Sequence, residues 1–229
     1  MTVSEFITAA WRRAKGKNPT FAAQSTKWNL ILDMGNDWTR YWATEYGVDF
    51  NSLYDPRVDI GNVIATDTFE LDSSIRKLSD KLGDVVRIMH TDGVGYTDYT
   101  IVPHDDLKMY YGGQDKESPS GFYCAQIGRN LVFNHEFIST DQQYGGSIEV
   151  PAYLYPDVLE NATDDIQVDN PDWLVLIVAS ELARNDVTRQ SQYPALLAQA
   201  NDKMNSMKDD NDAQLSEVTR PWNPGGSSW

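Results

Sequence analysis
The segments GFYCAQIGRNLVFN (121–134), GGSIEVPAYLY (145–155), DNPDWLVLIVASELARND (169–186) and YPALLAQANDKMNSMKDDN (193–211) decide the fold. In the first, Tyr123, Ala125 and Ile127 alternate with Cys124 and Gln126. Gly128-Arg129-Asn130 then supplies turn chemistry, and residues 131–133 return as a second strand. Residues 148–154 read as a further strand, ended by Pro156 and an acidic loop. The last two segments switch to helical period. Trp173, Leu174, Ile177, Val178 and Leu182 share one face, and Val175, Leu176 and Ala179 make the first turns apolar nearly all round, the pattern of a helix buried on several sides. Pro171 suits its first turn, where Asp169 and Asp172 also favour the dipole. In the next segment Tyr193, Leu196, Leu197, Ala200, Met204 and Met207 recur at helical spacing, and the pattern ends in Lys208-Asp209-Asp210-Asn211-Asp212. A strand module therefore delivers the chain into an antiparallel helical hairpin.

Working outward, Thr2 or Ser4 caps a first helix carrying Phe6, Ile7, Ala10 and Ala14, which Gly16 and Asn18-Pro19 end. A longer helix is expected over 20–46. Its stripe is Trp28, Ile31, Gly35, Trp38 and Trp42, with Leu30, Met34 and Tyr41 on the flank and Gly47 as C-terminal cap. A glycine inside such a stripe marks close helix–helix approach. Residues 51–66 read as a loop with a short helical turn over 58–64. The period then changes to strands over 68–71, 84–90 and 96–102, the last two joined by Thr91-Asp92-Gly93-Val94-Gly95. Pro103 opens a short helix, and Gly112-Gly113 and Ser118-Pro119-Ser120-Gly121 bracket a loop. The fold class is α+β. A helical bundle from residues 1–66 and 157–212 carries an inserted antiparallel β module over 67–156, of five or six short strands in a small sandwich or barrel. An extended tail over 213–229 follows.

The formal net charge is −15, and no Lys/Arg cluster exists that could neutralise phosphates, so tight nucleic-acid binding is disfavoured. The charge is uneven: residues 1–46 hold six basic and four acidic groups, residues 157–217 four basic and thirteen acidic. Cys124 is the single cysteine, which excludes an intrachain disulfide and suits a small buried hydrophobe. Neither an apolar signal core nor a membrane-length apolar window occurs, so a soluble chain made in the cytoplasm is expected.

Chemistry-bearing motifs are missing. His90, His104 and His135 lack ligand spacing, and no GxSxG, P-loop, dinucleotide-binding or HExxH pattern is present. The acidic pairs Asp105-Asp106, Asp164-Asp165 and Asp209-Asp210 read as caps or solvated charge. The expectation is a chain that is not an enzyme, with no cofactor and no metal. The tail SEVTRPWNPGGSSW (216–229) cannot form a regular element, yet it holds Trp222 and Trp229, aromatic anchors of the kind that dock elsewhere.

The order of elements resembles the head-to-tail adaptor (connector) proteins of tailed bacteriophages, of the short-tailed type. The resemblance covers most of the chain. It rests on SEFITAAWRRAKG (4–16) with WNLILDMGNDWTRYWATEYG (28–47), on GFYCAQIGRNLVFN with IEVPAYLYPDVL (148–159), and on VDNPDWLVLIVASELAR (168–184) with LLAQANDKMNSMKDDN (196–211). These are architectural patterns rather than catalytic signatures. The resemblance implies a structural virion protein in the neck between capsid portal and tail. It would be assembled in the host cytoplasm as a homo-oligomeric ring, a dodecamer in the virion. Its helices would surround a channel through which genome DNA passes without sequence-specific binding, and its β module would face outward or toward the tail. The implied partners are the portal protein and tail nozzle or fibre proteins, with no membrane. Arg220, Pro221, Trp222 and Trp229 would dock on the portal, and Trp173, Leu174, Ile177 and Val178 would form the subunit interface. A monomer that oligomerises only on the portal is expected. Two other readings compete. One is a different neck or tail component, such as a nozzle or tail-completion protein; the other is a carbohydrate-binding or hydrolase module using the aromatic β region.

Overall fold
The structure, a computed structural model, describes residues 1–45, 49–79, 81, 83–110 and 121–218, with residues 213–218 by backbone alone. The chain is mixed α+β and divides into two compact units: Met1–Ser52 with Pro156–Trp229, and Leu53–Tyr155. The expected Gly47 cap, the bracketed loop over 111–120, and Arg220, Pro221, Trp222 and Trp229 lie outside the described residues.

In the helical unit, α1 (Val3–Lys15) starts at a capping box in which Thr2 and Glu5 each bond the other's backbone N–H, and ends at Gly16 in the left-handed conformation, φ 70°. The guanidinium of Arg189 donates to the carbonyl of Lys15 at 3.2 Å, satisfying one of the helix's terminal acceptors. α2 (Thr26–Glu45) begins later than residue 20, because residues before it turn through Gln24 at φ 61° and Ser25 then accepts from the amide of Trp28. Gly35 faces α1 so closely that a Cβ there would sit 2.8 Å from a ring carbon of Phe6. α4 (Pro171–Arg184), capped by Asn170, packs against α1, α2 and α5 (Tyr193–Val218). Ten of its residues, 173–180 with Leu182 and Ala183, are buried. Each large apolar side chain withdrawn in this way contributes roughly 1.5–3 kcal/mol, so α4 is the energetic centre of the unit.

Two sequence expectations change here. Trp173, Leu174, Ile177 and Val178 are core residues of the single chain, each no more than 3% exposed, because three other helices cover them. They offer a neighbouring subunit no free surface. And α5 continues to Val218, into the region read as tail, since Ala213, Gln214, Leu215 and Glu217 favour helix and no proline intervenes before Pro221.

Among the described residues the second unit holds one curled sheet of eight strands: β1 (Tyr54–Asn62), β2 (Thr68–Glu70), β3 (Ile75–Leu78), β4 (Val85–Met89), β5 (Tyr96–Ile101), β6 (Tyr123–Ile127), β7 (Asn130–Phe133) and β8 (Ser147–Leu154). The order is β1-β8-β4-β5-β6-β7-β2, with β3 also paired to β8. Strand β8 accepts β1 along its length on one side; on the other, β4 pairs with its first half and β3 with its second. Between β5 and β6 the chain passes through the one-turn α3 (His104–Leu107), a crossover long enough for the pair to run parallel. The sheet is therefore a curled half-barrel, antiparallel at every described pair except β5 with β6, and not a closed barrel or a two-sheet sandwich. Residues 54–62, expected as loop and helical turn, form β1, so the unit boundary falls at Ser52–Leu53 and not near residue 66. β3 has no counterpart among the expected strands. The core gathers Phe69, Tyr99, Phe133 and Phe137 with Val86, Ile88, Cys124, Ile148 and Val150.

Candidate docking groove on the helical unit
A groove of about 610 Å³ lies between α1 and α5 of the helical unit, floored by α4. Helical periodicity builds it. Ala9, Arg12 and Arg13 stand on the side of α1 away from its buried Phe6, Ile7, Ala10 and Ala14. Gln199, Lys203 and Ser206 stand beside the buried Ala200, Met204 and Met207 of α5, and Val175 and Leu176 form the apolar floor. Arg12, Arg13 and Lys203 are exposed, and none makes an ion pair among the described residues. Asp172 and Asp202 also line the groove, which leaves it cationic by one charge in a chain of net charge −15.

Opposite in character is the segment between β8 and α4. Asp157, Glu160, Asp164, Asp165 and Asp169 stand there without a single Lys or Arg. It is held in a defined shape. The Asn36 amide of α2 donates to the Leu159 carbonyl at 3.0 Å and accepts from its N–H at 2.8 Å. Asp164 accepts from the amides of Glu160 and Asn161, which hold its carboxyl below the usual carboxylate range. Thr2 bridges Asp165. Between Asp157 and Glu160, Val158 projects outward, 69% exposed.

The other sequence candidates are dispersed. His90 bonds the Thr97 hydroxyl at 2.9 Å, His104 lies 3.8 Å from the Asp105 carboxylate, and His135 is buried against Tyr99 and Phe137. Burial holds the His135 imidazole below its ordinary pKa. No group of three or more His, Cys, Asp or Glu side chains suited to a metal ion converges among the described residues. A polar recess of about 310 Å³ at the end of α5 contains Asp169 and Asp210, but its buried amide, Asn211, is occupied: it accepts from the Asn51 N–H and donates to the Asp49 carbonyl. In the β unit, Tyr54 donates to both carboxylate oxygens of Asp84, at 3.0 and 3.1 Å; burial and this carboxylate push its pKa to about 12. Burial likewise pushes the Cys124 thiol far up. No helix among the described residues is long and apolar enough to cross a membrane.

Sequence reasoning named neither Arg12 and Arg13 nor Val158 as surface features. The signal was present in the +2 excess of residues 1–46 and the −9 excess of residues 157–217, but only packing shows which of those charges border a groove. No protein-family model matches this chain and no curated protein matches it.

Proposed function
We propose that this chain is a non-enzymatic structural virion protein whose copies form a ring joining a portal to a tail and continuing the DNA channel, as its resemblance to head-to-tail adaptors implies. The observation that carries the reading is the closure of Met1–Ser52 and Pro156–Trp229 into one helical unit, with a separately cored β unit inserted between them. The adaptor-type helical bundle belongs to this proposal. So do the portal-docking role of Arg220, Pro221, Trp222 and Trp229, the portal and nozzle or fibre partners, and the place in the virion neck. Net charge −15 suits a wall along which DNA slides, because phosphates are repelled rather than held.

A carbohydrate platform receives less support: Tyr99, Phe133 and Phe137 are buried, and exposed Tyr96 is covered by the guanidinium of Arg87 at 3.9 Å. The test is cosedimentation with the cognate portal ring. The full chain should bind and multimerise there. A chain ended after Val218 should keep its helical circular dichroism and lose attachment. Undiminished attachment of that truncated chain would remove the tail role, and failure of the full chain to multimerise on the portal would remove the ring reading.

A further inference from the structure
We infer that the groove between α1 and α5 receives the acidic segment 157–160 of a second copy of this chain, so that copies join head to tail; this rests on the ring reading above. The two surfaces match in kind. Val158 is an exposed apolar knob between the carboxylates of Asp157 and Glu160. Val175 and Leu176, 4% and 6% exposed, form a narrow apolar floor; Arg12 and Arg13 stand on one bank and Lys203 with Asp202 on the other, and with Asp172 the lining keeps an excess of one positive charge.

They cannot meet within one chain. The paired hydrogen bonds from Asn36 to Leu159 pin the segment on α2, and Val158 contributes nothing to its own chain's groove. A knob and a groove at different places on the same unit make a heterologous contact, which closes into a ring or continues as a filament. A symmetric dimer would need one patch to face itself: the acidic segment would then meet only acids, and the groove has no apolar knob with which to fill its own copy. The occupant is therefore a neighbour's segment rather than nucleic acid or a basic peptide: the first would not bring the valine, and the second would meet three cations against two carboxylates.

The test is disulfide trapping on the cognate portal ring, with the full chain carrying Val158→Cys and Ser206→Cys together. Cys124 is fully buried and stays out of the chemistry. Oxidation by an added disulfide oxidant should give a ladder of dimers, trimers and higher species, with mass spectrometry mapping position 158 to position 206. Reversing Arg12→Glu with Arg13→Glu should cut the ladder at least about tenfold, since like charges then face each other across the contact. Asp157→Lys with Glu160→Lys should do the same, and the two reversals combined should restore it. Portal-bound chain that yields no ladder, a 158–158 or 206–206 product, or a ladder indifferent to both reversals overturns the docking. A ring seen by light scattering without the 158–206 link would overturn the docking and leave the ring. A 158–206 ladder that grows into filaments without closing would support the docking and overturn the ring.

Discussion

Replacing Gly35 by alanine sets two well-known effects against each other at one site. In an exposed helix the change stabilises by about 1 kcal/mol, because glycine has more backbone freedom to lose. Here the new methyl would lie 2.8 Å from Cε1 and 3.1 Å from Cζ of Phe6, where carbon atoms in good contact stand about 3.5–4.0 Å apart. Phe6 is fully buried, so its ring has no solvent side to retreat into. Such overpacking costs about 1–3 kcal/mol, and the balance is a net loss of roughly 1 kcal/mol. Gly35→Val adds volume and a β-branch and should lose more. The readout is urea unfolding followed by tryptophan emission, which reports the helical unit because none of the seven tryptophans lies in Leu53–Tyr155. Phe6→Leu with Gly35→Ala should recover at least about 1 kcal/mol relative to the sum of the single changes, the coupling expected of residues in contact. A stabilised Gly35→Ala protein, or no coupling between positions 6 and 35, would refute the close approach.

The remaining predictions address buried polar groups and pH. Thr39 is 3% exposed and its hydroxyl has no hydrogen-bond partner among the described residues, so Thr39→Val should raise the urea midpoint, by about 1–2 kcal/mol of stability. Asn134 is fully buried, accepting from the Tyr123 N–H and donating to the carbonyls of Tyr110 and Gly121; Asn134→Ala should cost at least about 2 kcal/mol and speed hydrogen exchange at the Tyr123 amide. Hydrogen bonds from Lys15 and from Thr188 depress the Asp186 carboxyl from 3.8 to about 2. The unfolded chain then binds the proton first, so this contribution is whole above about pH 4 and disappears as pH falls toward 2. Asp186→Asn should show a shallower loss of urea midpoint across that window than the parent, and an equal slope would count against the bond.

Local chemistry made several elements readable. Thr2 and Glu5 close a capping box, Gly16 ends α1 in a left-handed conformation that glycine takes without the penalty a side chain brings, and Gly128 at φ 61° turns β6 into β7. Each depends on residues a few positions apart, and that is the range over which sequence patterns speak. β1 escaped because Asp55-Pro56 and Gly61 are loop-like by composition; what holds Tyr54–Asn62 extended is its antiparallel partner β8, ninety or so residues away. β3 escaped for the same reason, being four residues that find their partner in the second half of β8. Of the candidate groove, the charges could be counted from the chain, but not their grouping.

By itself, the sequence determined the α+β class, the helical periods, most strand positions and the all-round apolar character of the helix beginning at Pro171. Those are properties of spacing and local conformational preference. Only tertiary structure decided what that apolar helix touches: α1, α2 and α5 of its own chain cover Trp173, Leu174, Ile177 and Val178, which the pattern alone left equally open to a neighbour. It also decided that Arg12, Arg13 and Lys203 border one groove, and that Asn36 holds Val158 outward on a separate surface. Burial and juxtaposition are set by contacts between residues far apart in the chain, and hydrophobic attraction, being non-directional, does not reveal its partner until the helices are packed.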